Sequence, residues 1–224
     1  MKSRTVILII LGIILADQGL KFWVKTSMEY HEQIPMIGSW FRLFFIENEG
    51  MAWGWKFGGE AGKIALTLFR LVAVIFGVFY IRSILKKKFH PGFIVCVALI
   101  FAGALGNLID SMFYGMLFSA SEYGYPLARF LPEEGGYAGF LHGRVVDMLY
   151  LPIIEDKVLP DWIPFWGGDR FTFFSPIFNI ADASISLGVL IILVFQNRFF
   201  KKDPTEEPDQ NPDKAEQTAT TVTV

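Results

Sequence analysis

Four apolar stretches limit what this chain can fold into. Residues Thr5–Val24, Ile64–Ile81, Pro91–Ile109 and Phe178–Phe195 each approach the roughly 20 residues needed to cross a ~30 Å hydrocarbon core. Lipid offers no partner for backbone N–H and C=O groups, so a stretch of this kind satisfies them internally, as a helix. Composition agrees, with 53% hydrophobic and only 19% charged residues among 224, against roughly 25% charged in soluble domains. The first stretch follows Lys2 and Arg4 as a signal peptide would. However, no small-x-small cleavage pattern follows Ala16, and Asp17, Gln18 and Lys21 come next, so it is expected to be a retained span. The expected fold is therefore an all-α membrane protein with four transmembrane helices in a single domain over residues 1–202.

Basic residues give the expected orientation. Lys2 and Arg4 precede span one, Arg82, Lys86, Lys87 and Lys88 separate spans two and three, and Arg198, Lys201 and Lys202 follow span four. These three short segments hold nine of the twenty Lys and Arg, which places both termini in the cytoplasm. The long loops, 25–63 and 111–176, then lie outside. In the first, Glu32–Ile37 and Trp40–Asn48 have strand-like composition around the turn-prone Gly38-Ser39, and Gly50–Gly59 interleaves Trp53, Trp55 and Phe57 with glycine. This predicts a small extracytoplasmic β element at the interface, where indole rings sit well. The second loop, rich in Gly and Pro, is expected to form an irregular cap. The tail 203–224, with six acidic residues and three prolines, is expected to be disordered.

Several function classes fall away. A formal charge of -2 offers no footprint for nucleic acid. The single Cys96 and three scattered histidines, His31, His90 and His142, provide neither a disulfide nor metal-ligand spacing. A zinc enzyme is therefore not expected.

Polar groups inside a span are costly and call for a reason. Asp17 and Lys21 stand at i and i+4 of span one, Asn107 and Asp110 at i and i+3 near the end of span three, and Asn179 and Asp182 at i and i+3 near the start of span four. With the orientation above, all fall in the outer half of the membrane, where water has access and the dielectric is low. Asp147 follows Val145-Val146 in the loop leading back to span four. Two acids held there with separated proton affinities can hydrolyse a peptide bond, one drawing a proton from water while the other polarises the carbonyl. The competing reading is a small transporter whose acids carry ions. It is disfavoured because the acids cluster on one side, with no polar path through the other half.

Five ordered motifs carry a resemblance. They are Asp17-Gln18-Gly19-Leu20-Lys21, Asn48-Glu49-Gly50-Met51-Ala52-Trp53, Gly103-Ala104-Leu105-Gly106-Asn107-Leu108-Ile109-Asp110, Val145-Val146-Asp147 and Phe178-Asn179-Ile180-Ala181-Asp182. In this set the chain resembles the bacterial lipoprotein signal peptidases, signal peptidase II, over most of residues 10–197. The resemblance implies a monomeric aspartyl endopeptidase of the bacterial inner membrane. It would remove signal peptides from prolipoproteins, cutting before a cysteine that bears diacylglycerol, with no metal and no cofactor. It implies Asp147 and Asp182 as the catalytic dyad, supported by Asp17, Lys21, Asn48, Gly50, Asn107, Asp110 and Asn179, with membrane lipid as the other partner. Two departures stand out. Ser111 occupies the position where the family usually has arginine after the aspartate, and Arg144 or Arg70 could supply that cation. In addition, 36 residues separate Asp110 from Asp147, an outer insertion expected to shape a lid.

Overall fold

The computed structural model describes residues 1–38, 40–49, 59–152, 154–162, 164, 167–173 and 176–200. Gly50, Trp53 and the rest of the 50–58 segment lie outside the described residues, as does the tail from residue 201 onward. Among the described residues, four helices are long and apolar enough to cross a membrane: Ser3–Ser27, Ala61–Lys86, Pro91–Leu117 and Ile180–Phe199.

All four helices run past the C-terminal ends of the apolar stretches that announce them. Helix α1 covers Ser3–Ser27 and α2 covers Gly59–Lys86. Charged residues such as Lys25 and Lys86 continue the backbone ladder at the C-terminal end, where the helix dipole favours a cation. Helix α3, Pro91–Ile109, starts where His90 accepts from the Gly92 N–H and Pro91 fills the first turn, a position at which a missing N–H costs nothing. It runs on through one π-helical turn, Asp110–Tyr114, into the short α4, Gly115–Leu117. Helix α5, Ile180–Phe199, begins two residues later than expected. Phe178 is drawn into a strand, and the Asn179 side chain caps the helix by accepting from the Asp182 N–H at 2.9 Å.

Helix α3 is the central post and packs against α1, α2 and α5. Half of its apolar window is buried, against 17% for each of the others. Its contact with α5 is close because Gly103 has no side chain: a Cβ there would stand 2.2 Å from the Ala181 carbonyl oxygen. The end of the bundle holding the chain's first residues has an apolar core built from Val6, Ile81, Ile84, Phe93, Ile94 and Ala98.

The opposite end carries the sheet. Strands β1, Gln33–Ile37, and β2, Phe41–Asn48, fulfil the expected β element. The second long loop, expected to be an irregular cap, is irregular only in part. It contributes β3, Val145–Tyr150, β4, Ile154–Val158, β5, Arg170–Phe173, and β6, Ile177–Phe178. The sheet order is β1-β2-β3-β6, all antiparallel, while β4 and β5 form a separate pair. Near-continuous burial of β3 follows from its central place: Val145, Val146, Asp147 and Met148 are all buried. Pairing of Asn48 with Val145 and of Ile46 with Asp147 puts Asn48 and Asp147 on one face, since side chains alternate with period two. The other face presents Leu43, Phe45, Val146 and Met148 to Val24, Met28, Tyr114 and Phe118.

Candidate active site

Strand β3 and the capping turn of α5 bring two carboxylates to the sheet end of the bundle. Asp147 is buried and Asp182 is half-buried. A chain of carboxamides links them. Asn179 donates to Asp147 Oδ1 at 2.7 Å and to Asn107 Oδ1 at 3.1 Å, and Asn107 donates to Asp182 Oδ1 at 2.7 Å. Both asparagines are held in turn. Asn179 caps α5, and Asn107 accepts from Lys21 Nζ at 2.9 Å. On the far side of Asp147, Asn48 donates to Oδ2 at 3.4 Å. Fixed amides of this kind orient a carboxylate without adding a titratable proton.

Behind this lies an ionic framework. Lys21 Nζ sits 2.9 Å from Asp17 and 2.8 Å from Asp110, with all three side chains essentially without solvent. Gln18 donates to Asp110 at 2.8 Å and to Asp17 at 3.1 Å, and accepts from the Tyr114 hydroxyl at 3.2 Å. The two acids reach onward to backbone. Asp17 accepts from the Ala181 N–H at 2.8 Å, and Asp110 accepts from the Val146 N–H at 3.3 Å. One cation on α1 therefore fixes the residue before Asp182 and the residue before Asp147. Buried charges persist only when paired and hydrogen-bonded in this way.

Burial, and after it the neighbouring Asp182 carboxylate, push the Asp147 carboxyl up to about 7; Lys21 and the Asn179 and Asn48 amides pull in the opposite direction but do not prevail. Asp147 is thus poised to keep a proton at neutral pH.

Of the residues singled out in the sequence, Asp17, Lys21, Asn48, Asn107, Asp110, Asn179, Asp147 and Asp182 are joined in this network. Gly50 falls outside the described residues. Arg144 stands elsewhere: its guanidinium lies 3.6 Å from Glu47 and over the Tyr137 ring. It lines a cavity of about 610 Å³ with Glu49, Lys63 and His142. The cation at Ser111 is Arg70 of α2, which donates to the Ser111 hydroxyl at 3.2 Å; that hydroxyl donates to the Asn107 carbonyl at 3.0 Å.

A second buried ion pair escaped the sequence reading. Lys25 of α1 pairs with Glu47 of β2, and Ser121 joins both, accepting from Lys25 and donating to Glu47 at 2.9 Å each. The signal was present: Asp17, Lys21 and Lys25 recur every four residues, a continuous polar stripe along one helix face. Its partner could not be foreseen, because Glu47 comes from a strand whose register only the fold fixes.

Comparison with known proteins places the chain among close likenesses. A family profile described as signal peptidase (SPase) II matches residues 9–198. A protein of Porphyromonas gingivalis named lipoprotein signal peptidase is 44% identical over 194 residues, covering 86% of this chain and 83% of that one. One of the same name from Amoebophilus asiaticus is 36% identical over 184 residues, covering 81% and 72% respectively. A bacterial membrane enzyme solved by the in meso method superposes with a TM-score of 0.57 at 25% identity, covering 92% of this chain and 96% of that one.

Proposed function

The chain belongs to the signal peptidase II family, and on that premise we propose that its two carboxylates, Asp147 and Asp182, form the dyad that hydrolyses the scissile bond. As a member it is a bacterial membrane aspartic protease that removes signal peptides from prolipoproteins. The observation carrying the proposal is the asparagine chain: Asn179 and Asn107 hold the two carboxyl groups at one site through hydrogen bonds of 2.7 Å each.

The roles divide by environment. Asp147, pushed up to about 7 by burial, holds the proton and donates it towards the carbonyl oxygen of the scissile peptide. Half-buried Asp182 takes the other role and draws a proton from the attacking water. Lys21 serves as a positioning residue, because it touches Asn107 and the two framework acids rather than reacting atoms. Arg70 holds Ser111, and through it the Asn107 carbonyl, from the side of α2. Cleavage falls immediately before a cysteine bearing diacylglycerol, the site lies near the outer face with both termini cytoplasmic, and the enzyme works as a monomer.

The decisive experiment uses purified protein in detergent with a diacylglyceryl-modified prolipoprotein and its unlipidated twin, read by gel shift. Cleavage of the lipidated form alone, lost in both Asp147→Asn and Asp182→Asn, is the expected outcome. Full activity in either variant would overturn the dyad, and equal cleavage of both substrates would overturn the lipid requirement.

A further inference from the structure

The insertion between Asp110 and Asp147, expected to shape a lid, is held along the end of span three. After α4 the chain turns away and then returns along that end, bonded to it at five backbone positions. Backbone N–H groups of Leu131, Tyr137, Ala138, Leu141 and Gly143 donate to the carbonyls of Leu117, Phe118, Gly115, Met112 and Ser111, at 2.7 to 3.2 Å. The return is tight, since a Cβ on Gly143 would meet the Asp110 carbonyl oxygen at 2.0 Å. Met112 lies five residues inside the Leu117 end of that span, about 7.5 Å along a helix. The insertion thus reaches back alongside the last turns of the apolar helix that ends at Leu117.

Large apolar side chains stand exposed on it, Phe130 and Leu131 level with the Leu117 end of the span and Phe140 level with Met112 and Phe113. Phe130 and Phe140 are 46% and 47% exposed, and Leu131 is 62% exposed. They continue an apolar surface that belongs to the spans. Phe130 meets Phe22 of α1 edge-on at 5.3 Å, and Phe140 meets Phe113 of span three at 5.8 Å. Phe22 lies five residues inside the end of α1. Leu131 also holds a left-handed backbone, φ 50°, a conformation that costs a non-glycine residue about 1 kcal/mol or more. A strained leucine turned out of the protein gains nothing from water but is stabilised by hydrocarbon.

We propose that residues 118–144 form a re-entrant strap lodged in the membrane leaflet nearer the sheet, with lipid interface and acyl chains as its partner at Phe130, Leu131 and Phe140. Non-helical backbone survives at that depth only where its polar groups are satisfied by protein, and five bonds to the end of span three meet part of that requirement here. Tyr123 and Tyr125, exposed further along the loop, suit the headgroup level favoured by tyrosine. The charged pair Arg129–Glu134, also exposed, marks the watery edge of the strap.

The test places a nitroxide at one residue at a time in the full chain carrying Cys96→Ser. The positions are Leu131→Cys, Phe140→Cys and, as aqueous reference, Glu134→Cys. Each protein is reconstituted in vesicles of phosphatidylethanolamine with phosphatidylglycerol, after checking that it elutes and melts like the unlabelled chain. Relaxation by oxygen, which concentrates in hydrocarbon, is compared with relaxation by a neutral nickel chelate, which stays in water. Labels at 131 and 140 are expected to favour oxygen several-fold, and the label at 134 to favour nickel. Nickel access at 131 and 140 equal to that at 134 would overturn the proposal. Labels shut off from both reagents would also overturn it, since protein rather than lipid would then cover the face.

Discussion

The two ends of the helix bundle are built from the same four helices and obey opposite rules. At one end Val6, Ile81, Ile84, Phe93, Ile94 and Ala98 pack together as an apolar cluster. At the other, Asp17, Lys21, Lys25, Asn107, Asp110, Asp147 and Asn179 are buried among the same helices and the sheet above them. The apolar end works by fit alone, so each residue is replaceable by another of similar volume. The polar end works by closure: every member satisfies another, and removing one strands its partners. This contrast weighs against an ion-conducting reading: among the described residues the buried charges gather at one end.

The comparison is broken most severely at the dyad. Asp147→Asn and Asp182→Asn should each lower cleavage by roughly 10²–10⁴-fold while leaving elution and membrane insertion unchanged, as read by gel shift on lipidated substrate and by gel filtration. Next comes the framework. Lys21→Met should destabilise the protein by about 3–5 kcal/mol, because Asp17 and Asp110 remain buried without their cation; unfolding in mixed detergent, followed by circular dichroism, measures it. At the apolar end, Ile94→Val should cost only about 0.5–1.5 kcal/mol and leave cleavage untouched. Should Ile94→Val abolish activity while folding persists, the division between the two ends would be wrong.

A finer test uses pH. The Asp147 proton is held up to about pH 7, so cleavage should fall as pH rises through 7, giving the descending limb of a bell-shaped profile. The sign for stability is the same. Between about pH 4 and 7 the folded chain keeps a proton that an unfolded aspartate has lost, so stability declines across that window. Asn48→Ala removes a hydrogen bond that favours the charged form of Asp147, and should move the descending limb to higher pH.

Much of this was legible before any coordinates. Hydropathy alone located the four spans, because lipid leaves a helix as the one solution for an isolated apolar run. The acids and amides stood out because intramembrane polar residues are too costly to be incidental. Strands β1 and β2 followed from composition and the glycine turn between them. What could not be read was pairing across long separations. Nothing in Val145–Tyr150 announces that it lies between β2 and β6, nor that Glu47 reaches Lys25, nor that Arg70 rather than Arg144 meets Ser111. Helix ends were misjudged for a local reason: an apolar run ends at its first charge, whereas backbone hydrogen bonding does not. The insertion escaped most fully, since its Gly- and Pro-rich composition gives no hint of the ladder it makes with the end of span three.

The alternation along β2 has a last consequence, for errors in assembly. Asn48 faces Asp147, while its neighbour Glu47 faces Lys25 on the opposite side. A strand that docked one residue out of step would swap them. A third carboxylate would then crowd the dyad, and the buried Lys25 would lose its counter-charge. Both faults arise from a single slip and both are expensive, so a misthreaded chain could not persist as a quiet, half-active enzyme. The strand proofreads its own placement, and the two ionic clusters act as paired checks on one act of folding.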